Sequence, residues 1–362
     1  MSELMLDVSA SVPFDSTTCL AASVHLPDIA AGAPRAVLVC WPGGSYGRAY
    51  WDMQIPGHPG YSFADHMTAQ GYLVVAADHL GVGASSKPAD GDRVNFETMS
   101  AAAAAFVEQL RELLAAGAPQ LGGIELPEIP VVGVGHSLGA CLTVVTQAQH
   151  RCYDAVALLG FTHGQKELSV TAVGATTADP DATAHTLREA ASEQARAFFG
   201  DTWDDVYGLV PREPHHGWLH RPDVPPAVIA ADDAAAVRWP RQSYVDALLV
   251  GYSAGFAAQL DCGIFLGFGD HDVPPIPHDD VAFYTRSPDV TLYVLRDAAH
   301  CHNFAATRAE LWDRIDRWVN AARPPAVRHR RDRIEPATAR PPAQKYSCCW
   351  GEMPANKTVQ VI

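Results

Sequence analysis

The sequence predicts an α/β fold: a mostly parallel central sheet covered by helices on both faces, with a helical cap. Three features carry this expectation. Short apolar runs closed by turns alternate with helical patterns along most of the chain. The strand-like runs are apolar at nearly every position, as in strands buried on both faces. One long stretch between two such runs lacks strand character and holds helix-forming segments instead.

Residues 1–29 form an N-terminal segment ahead of this rhythm. The first two core strands are AVLVCW (36–41) and GYLVVAAD (71–78). FETMSAAAAAFVEQLRELLAAG (96–117) is rich in alanine and leucine, and Gly117 and Pro119 stop it as a helix. IPVVGVG (129–135) is a strand, ACLTVVTQAQ (140–149) a helix and DAVALLGF (154–161) a strand again. Residues 162–261 are expected to form the cap, with TLREAASEQARAFF (186–199) helical and PREPHHGWLHRPDVPP (211–226) rich in Pro, His and Trp. CGIFLGF (262–268) and VTLYVL (290–295) return to the sheet, and ELWDRIDRWVNAA (310–322) closes the core as an amphipathic helix. The core is therefore 30–161 together with 262–322. Residues 323–362, Pro- and Arg-rich and aperiodic, are expected to be a flexible tail.

Composition narrows the function. With 362 residues, 48% hydrophobic and 19% charged, the chain can bury a large core. A formal net charge of -15 argues against a nucleic-acid partner. No signal-peptide pattern and no apolar run long enough to span a bilayer is evident, so the expectation is a cytoplasmic chain with no membrane partner. The eight cysteines show no C-x-x-C pair and no zinc spacing. His271, Asp272, His278, Asp279 and Asp280 cluster in sequence, but intervening prolines break any shared face, so a solvated loop and no metal are expected. His215 and His216 are expected on the surface of the cap. Oligomeric state is left open.

The stretch VVGVGHSLGA (131–140) carries the chemistry. A strand runs into Gly135-His136-Ser137-Leu138-Gly139 and then into a helix, which is the strand–turn–helix context of a nucleophile elbow. So sharp a turn strains Ser137, and glycines two positions to either side remove side chains that would collide. The serine then stands at a helix N-terminus, where free N–H groups favour developing negative charge. In such sites the acid follows the nucleophile and the base comes last. Asp270, the first carboxylate beyond CGIFLGF, is the expected acid, with Asp272 the alternative. His300, in the loop after VTLYVL, is the expected base, with His302 the alternative.

Together, GHSLG, GFGDHDV, DAAHCH and the turn DHLGVGASSKP (78–88) resemble the α/β-hydrolase family over roughly residues 30–322, and serine esterases with a helical cap in particular. The resemblance implies hydrolysis of a carboxylic ester-type bond in a small-molecule substrate through an acyl-enzyme on Ser137, with no cofactor. Lactones, thioesters, amides, C–C bonds and acyl transfer to other acceptors use the same triad, and a non-catalytic binding module is the alternative from another class. The chain departs from the family after its first core strand. Where relatives carry His-Gly, it has Trp41-Pro42-Gly43-Gly44. By position the N–H of Gly44, with that of Leu138, is the expected oxyanion donor pair. Gly43, Ser45, Tyr46, His136 and Trp218 are candidates for touching substrate. Trp203, Tyr207, Trp239 and Tyr252, with Trp218, are candidates for a bulky apolar pocket.

Overall fold

A computed structural model describes residues 1–164, 184–249 and 251–321. The expected tail, 323–362, and part of the expected cap, 165–183, lie outside the described residues.

The strands are β1 (Ser2–Asp7), β2 (Cys19–His25), β3 (Val37–Trp41), β4 (Leu73–Ala77), β5 (Val131–His136) and β6 (Ala155–Leu159), then short β7 (Tyr207–Gly208) and β8 (Trp239–Pro240), then β9 (Gly263–His271) and β10 (Val290–Ala299). Eight of them form one sheet in the order β1-β2-β4-β3-β5-β6-β9-β10, while β7 and β8 pair separately. From β4 to β10 every pairing is parallel; β1 with β2 and β2 with β4 are antiparallel. Every residue of β3, β4, β5 and β6 is buried, which is why these strands read as unbroken apolar runs.

The helices are α1 (Phe63–Ala69), α2 (Phe96–Ala115), α3 (Leu138–His150), α4 (Ala184–Phe199), α5 (His216–Leu219), α6 (Pro226–Ala234), α7 (Arg241–Leu248), α8 (Ala254–Ala257) and α9 (Arg308–Ala321). A reciprocal capping box between Asn95 and Thr98 starts α2. The N–H of Gly117, at φ +63°, returns to the Leu114 carbonyl just past its end. Two apolar clusters divide the core. One joins α2 and α3 to one face of the sheet; the other joins α1 and α9 to the opposite face, with Trp51, Phe63, Trp312 and Trp318 at its centre. Among the described residues no helix is long and apolar enough to cross a membrane.

Two differences from the sequence expectation matter. The N-terminal segment contributes β1 and β2 to the sheet edge. Only β1 alternates buried and exposed residues, too short a signal to read beforehand. The other is the length of β9: instead of stopping at Phe268 it runs on to His271, which moves the end of the strand past Asp270.

Candidate active site

At the end of β5 the backbone turns through Ser137 with φ 53° and ψ -123°, a conformation rare for a side-chain-bearing residue. A side-chain carbon at Gly135 would come within 2.6 Å of Ala140 Cα, and one at Gly139 within 2.6 Å of the Trp41 carbonyl oxygen. The first glycine lets the helix leave close to the strand. The second lets α3 press against the end of β3. The Ser137 N–H donates to the Leu159 carbonyl at 2.7 Å, tying the turn to the neighbouring strand.

His300 reaches the serine from the loop after β10, its Nε2 lying 2.8 Å from Ser137 Oγ. Its Nδ1 lies 2.7 Å from Asp272 Oδ1. The expectation that Asp270 partners this histidine is corrected by the structure. Asp270 sits inside the extended β9 and its two oxygens accept the N–H groups of Asp297 and Ala298, both at 3.0 Å. There it clamps the irregular step between Leu295 and Ala299, where Asp297 has φ 54°. The first carboxylate beyond the true end of the strand is Asp272. The sequence reading ended the strand at Phe268, three residues too early.

The Asp272 side chain is fully shielded from solvent. Oδ1 also accepts the Val273 N–H at 2.7 Å, and Oδ2 faces His302 Nε2 at 2.7 Å and the Gly269 N–H at 3.1 Å. Burial alone would raise this carboxyl, but two adjacent imidazoles outweigh it and hold it well below the usual carboxylate range. Gly160, at φ +64°, leaves room for both rings, since a side chain there would meet Cε1 of His302 and of His300. The third histidine of the group, His136, donates from Nε2 to the His300 carbonyl at 2.8 Å and stacks on Tyr50. Burial, then the neighbouring imidazoles of His300 and His302, press its pKa well below the ordinary value, so it stays neutral.

A cavity of about 100 Å³ opens in front of Ser137. Gly43, Gly44, Ser45, Tyr46, His136, Leu138 and Trp218 all line it with Ser137 and His300; Asp270 does not. Gly43 lies against Ser137, because a side-chain carbon there would sit 3.0 Å from Ser137 Cβ. The 43–48 loop is held on several sides. His79 Nε2 donates to the Pro42 carbonyl at 3.0 Å, and Asp78 accepts the N–H groups of Arg48 and Ala84. The Val237 N–H and Trp239 Nε1–H donate to the carbonyls of Ser45 and Tyr46. Tyr46 does more than touch the cavity: its hydroxyl donates to Asp232, beneath the stacked guanidinium of Arg212.

Trp218 packs 4.9 Å from the His300 ring, and its carbonyl accepts the His300 N–H at 3.1 Å. Of the other aromatic candidates, Trp203, Tyr207, Trp239 and Tyr252 are not lining residues. The wall is completed by residues the sequence did not single out, among them Phe161, Phe198, Tyr244, Leu248 and Val273. Three expectations of solvent exposure also fail. His215 is buried and lines the cavity, Asp272 is the carboxylate partner of His300, and Asp280 is buried against Thr162 and the His163 N–H. Each lies in a Pro-rich segment whose polar composition imitates a surface loop.

Residues 61–188 match the family described as Serine aminopeptidase, S33. Among solved structures, the chain is similar to a thermophilic esterase from Thermogutta terrifontis with malate bound, at 15% identity and a TM-score of 0.58. That likeness covers 89% of this chain and 99% of the other. A thermostable carboxyl esterase from Bacillus coagulans in complex with glycerol matches at 16% identity and a TM-score of 0.58, with the same coverage. A bromoperoxidase from Bacillus anthracis matches at 17% identity and a TM-score of 0.53, over 88% of this chain and 100% of that one. No curated protein matches the chain in sequence.

Proposed function

We propose that this chain, an α/β-hydrolase by fold, is a serine hydrolase that cleaves a carboxylic ester-type bond through an acyl-enzyme. The observation that carries this reading is the unbroken relay Ser137 Oγ, His300 Nε2, His300 Nδ1, Asp272 Oδ1, with contacts of 2.8 and 2.7 Å. Ser137 Oγ attacks the carbonyl carbon while His300 Nε2 takes its proton. Asp272 fixes the tautomer of the imidazole and stabilises the imidazolium. The backbone N–H groups of Leu138, first residue of α3, and Gly44 receive the oxyanion, each donor contributing about 3 kcal/mol to lowering the barrier. Collapse breaks the bond to the leaving group, which departs with the proton from His300. Water then attacks the acyl carbon and gives its proton to His300; collapse breaks the bond to Ser137 Oγ, which takes that proton back from His300 as the acid is released.

The cavity supports a small or aryl acyl group over a lipid chain. About 100 Å³ bounded by Phe161, Phe198, Trp218, Leu248 and Val273 accommodates a group of roughly benzene size. Turnover of p-nitrophenyl esters graded from acetate to decanoate tests both parts. The expected result is hydrolysis that favours the short members and falls by orders of magnitude in Ser137→Ala. An inert native chain, or equal rates from the Ser137→Ala chain, contradicts the reading.

A further inference from the structure

Asp272 touches two imidazoles, and the hydrolytic cycle uses only one of them. His302 begins the short turn His302–Phe304, and its ring is fully buried. Its Nε2 lies 2.7 Å from Asp272 Oδ2. Its Nδ1 is buried with no hydrogen-bond partner among the described residues. These two facts fix the tautomer. A neutral ring protonated on Nδ1 would bury an unpaired N–H and turn a lone pair towards a carboxylate; one protonated on Nε2 donates to that carboxylate and leaves only a lone pair unmatched. With Nε2–H pointing at Asp272, the Gly269 N–H, 3.1 Å from both groups, also belongs to the carboxylate.

The second ring nitrogen distinguishes the two rings: that of His300, Nε2, faces Ser137 Oγ, while that of His302, Nδ1, has no hydrogen-bond partner among the described residues. Of the other titratable groups near Asp272, Tyr50 and Cys301 interact with the carboxylate. His136, from the end of β5, has its ring 5.5 Å from His302 and 4.8 Å from His300, and its Nδ1, like that of His302, has no hydrogen-bond partner among the described residues.

We infer that His302 is a positioning residue: donating from Nε2, it holds the second oxygen of Asp272, so that the first stays aligned on His300. The kinetic part of this inference rests on the hydrolytic reading above; the tautomer of His302 does not.

Nitrogen-15 spectra of histidine-labelled native protein, assigned with single-histidine variants, read the tautomer without any substrate. The expected spectrum has the neutral His302 ring carrying its proton on Nε2. A neutral His302 ring protonated on Nδ1 overturns the inference. In kinetics, His302→Leu is expected to lower kcat by tenfold to a hundredfold with KM near native. It also moves the acid limb of kcat/KM to higher pH, because a carboxylate relieved of a donor favours the His300 imidazolium. His302→Gln, whose amide restores a donor, is expected to recover most of both. A His302→Leu chain with native kcat and an unmoved acid limb overturns the positioning role. Should that variant fail to fold, His302→Gln and the native spectrum decide. A native protein inert towards every ester removes the hydrolytic reading, and the spectrum still decides the state of His302.

Discussion

Asp272 Oδ1 lies 2.7 Å from His300 Nδ1, while Asp270, two residues earlier, is occupied by the N–H groups of Asp297 and Ala298. The two aspartates therefore separate in a direct comparison. Asp272→Asn is expected to lower kcat by about four orders of magnitude, because the tautomer of His300 is no longer enforced. Asp270→Asn is expected to keep kcat within a few-fold of native and to lower thermal stability modestly, through the loosened end of β10. Steady-state kinetics with an activated short-chain ester and a melting curve for each variant check both.

Gly135 tests the elbow as a packing device. A methyl there meets Ala140 Cα and the Gly139 carbonyl at 2.6 Å, and both are backbone atoms that cannot swing aside. Gly135→Ala is expected to destabilise the fold by about 2–4 kcal/mol. Gly57, at φ +77° with open space around it, supplies the control; Gly57→Ala carries only backbone strain, about 1 kcal/mol. Urea unfolding of the two variants reads the difference.

Buried neutral histidines set the acid stability. Burial presses His79 down to about 4, against the raising effect of its bond to the Pro42 carbonyl, and holds His136 well below its ordinary value. Between the ordinary histidine value near 6.5 and pH 4 the unfolded chain binds protons that the folded chain refuses, so stability falls as pH falls through that window. His79 alone contributes on the order of 3 kcal/mol of loss by pH 4. Asp272, depressed in the fold, adds its own loss below the ordinary carboxylate range, in the same direction. Unfolding free energies measured from pH 7 to pH 4 are expected to slope downward. His79→Gln is expected to flatten that slope by about one proton.

Phe198 closes the cavity from α4, packed against His215, Trp218 and Tyr244. Phe198→Ala is expected to raise kcat/KM for an octanoate ester relative to a butyrate ester by about tenfold. An unchanged ratio would place the acyl group elsewhere.

How much of this was legible in the sequence follows from physical scale. The core strands were visible because each is buried on both faces, and the elbow because its glycines answer steric needs within five residues. The carboxylate partner of His300 was misplaced because the choice between Asp270 and Asp272 turns on where β9 ends, which pairing with β10 through Ala299 and His271 decides. His215, Tyr244 and Phe198 gave no signal of their own, since a residue between β6 and β9 becomes a cavity wall only by docking on a distant loop. The role of Asp78 and His79 in holding the 43–48 loop was half visible, in the turn DHLGVGASSKP that carries part of the family resemblance.

The central claim is that an acyl group passes through Ser137. Rapid quenching with a slowly hydrolysed aryl ester, followed by mass spectrometry of the peptide containing residues 131–149, tests it directly. The account predicts one equivalent of released phenol in a burst, with the acyl mass on that peptide in the native chain and in neither quantity for Ser137→Ala. Steady turnover without any acylation of that peptide would contradict it.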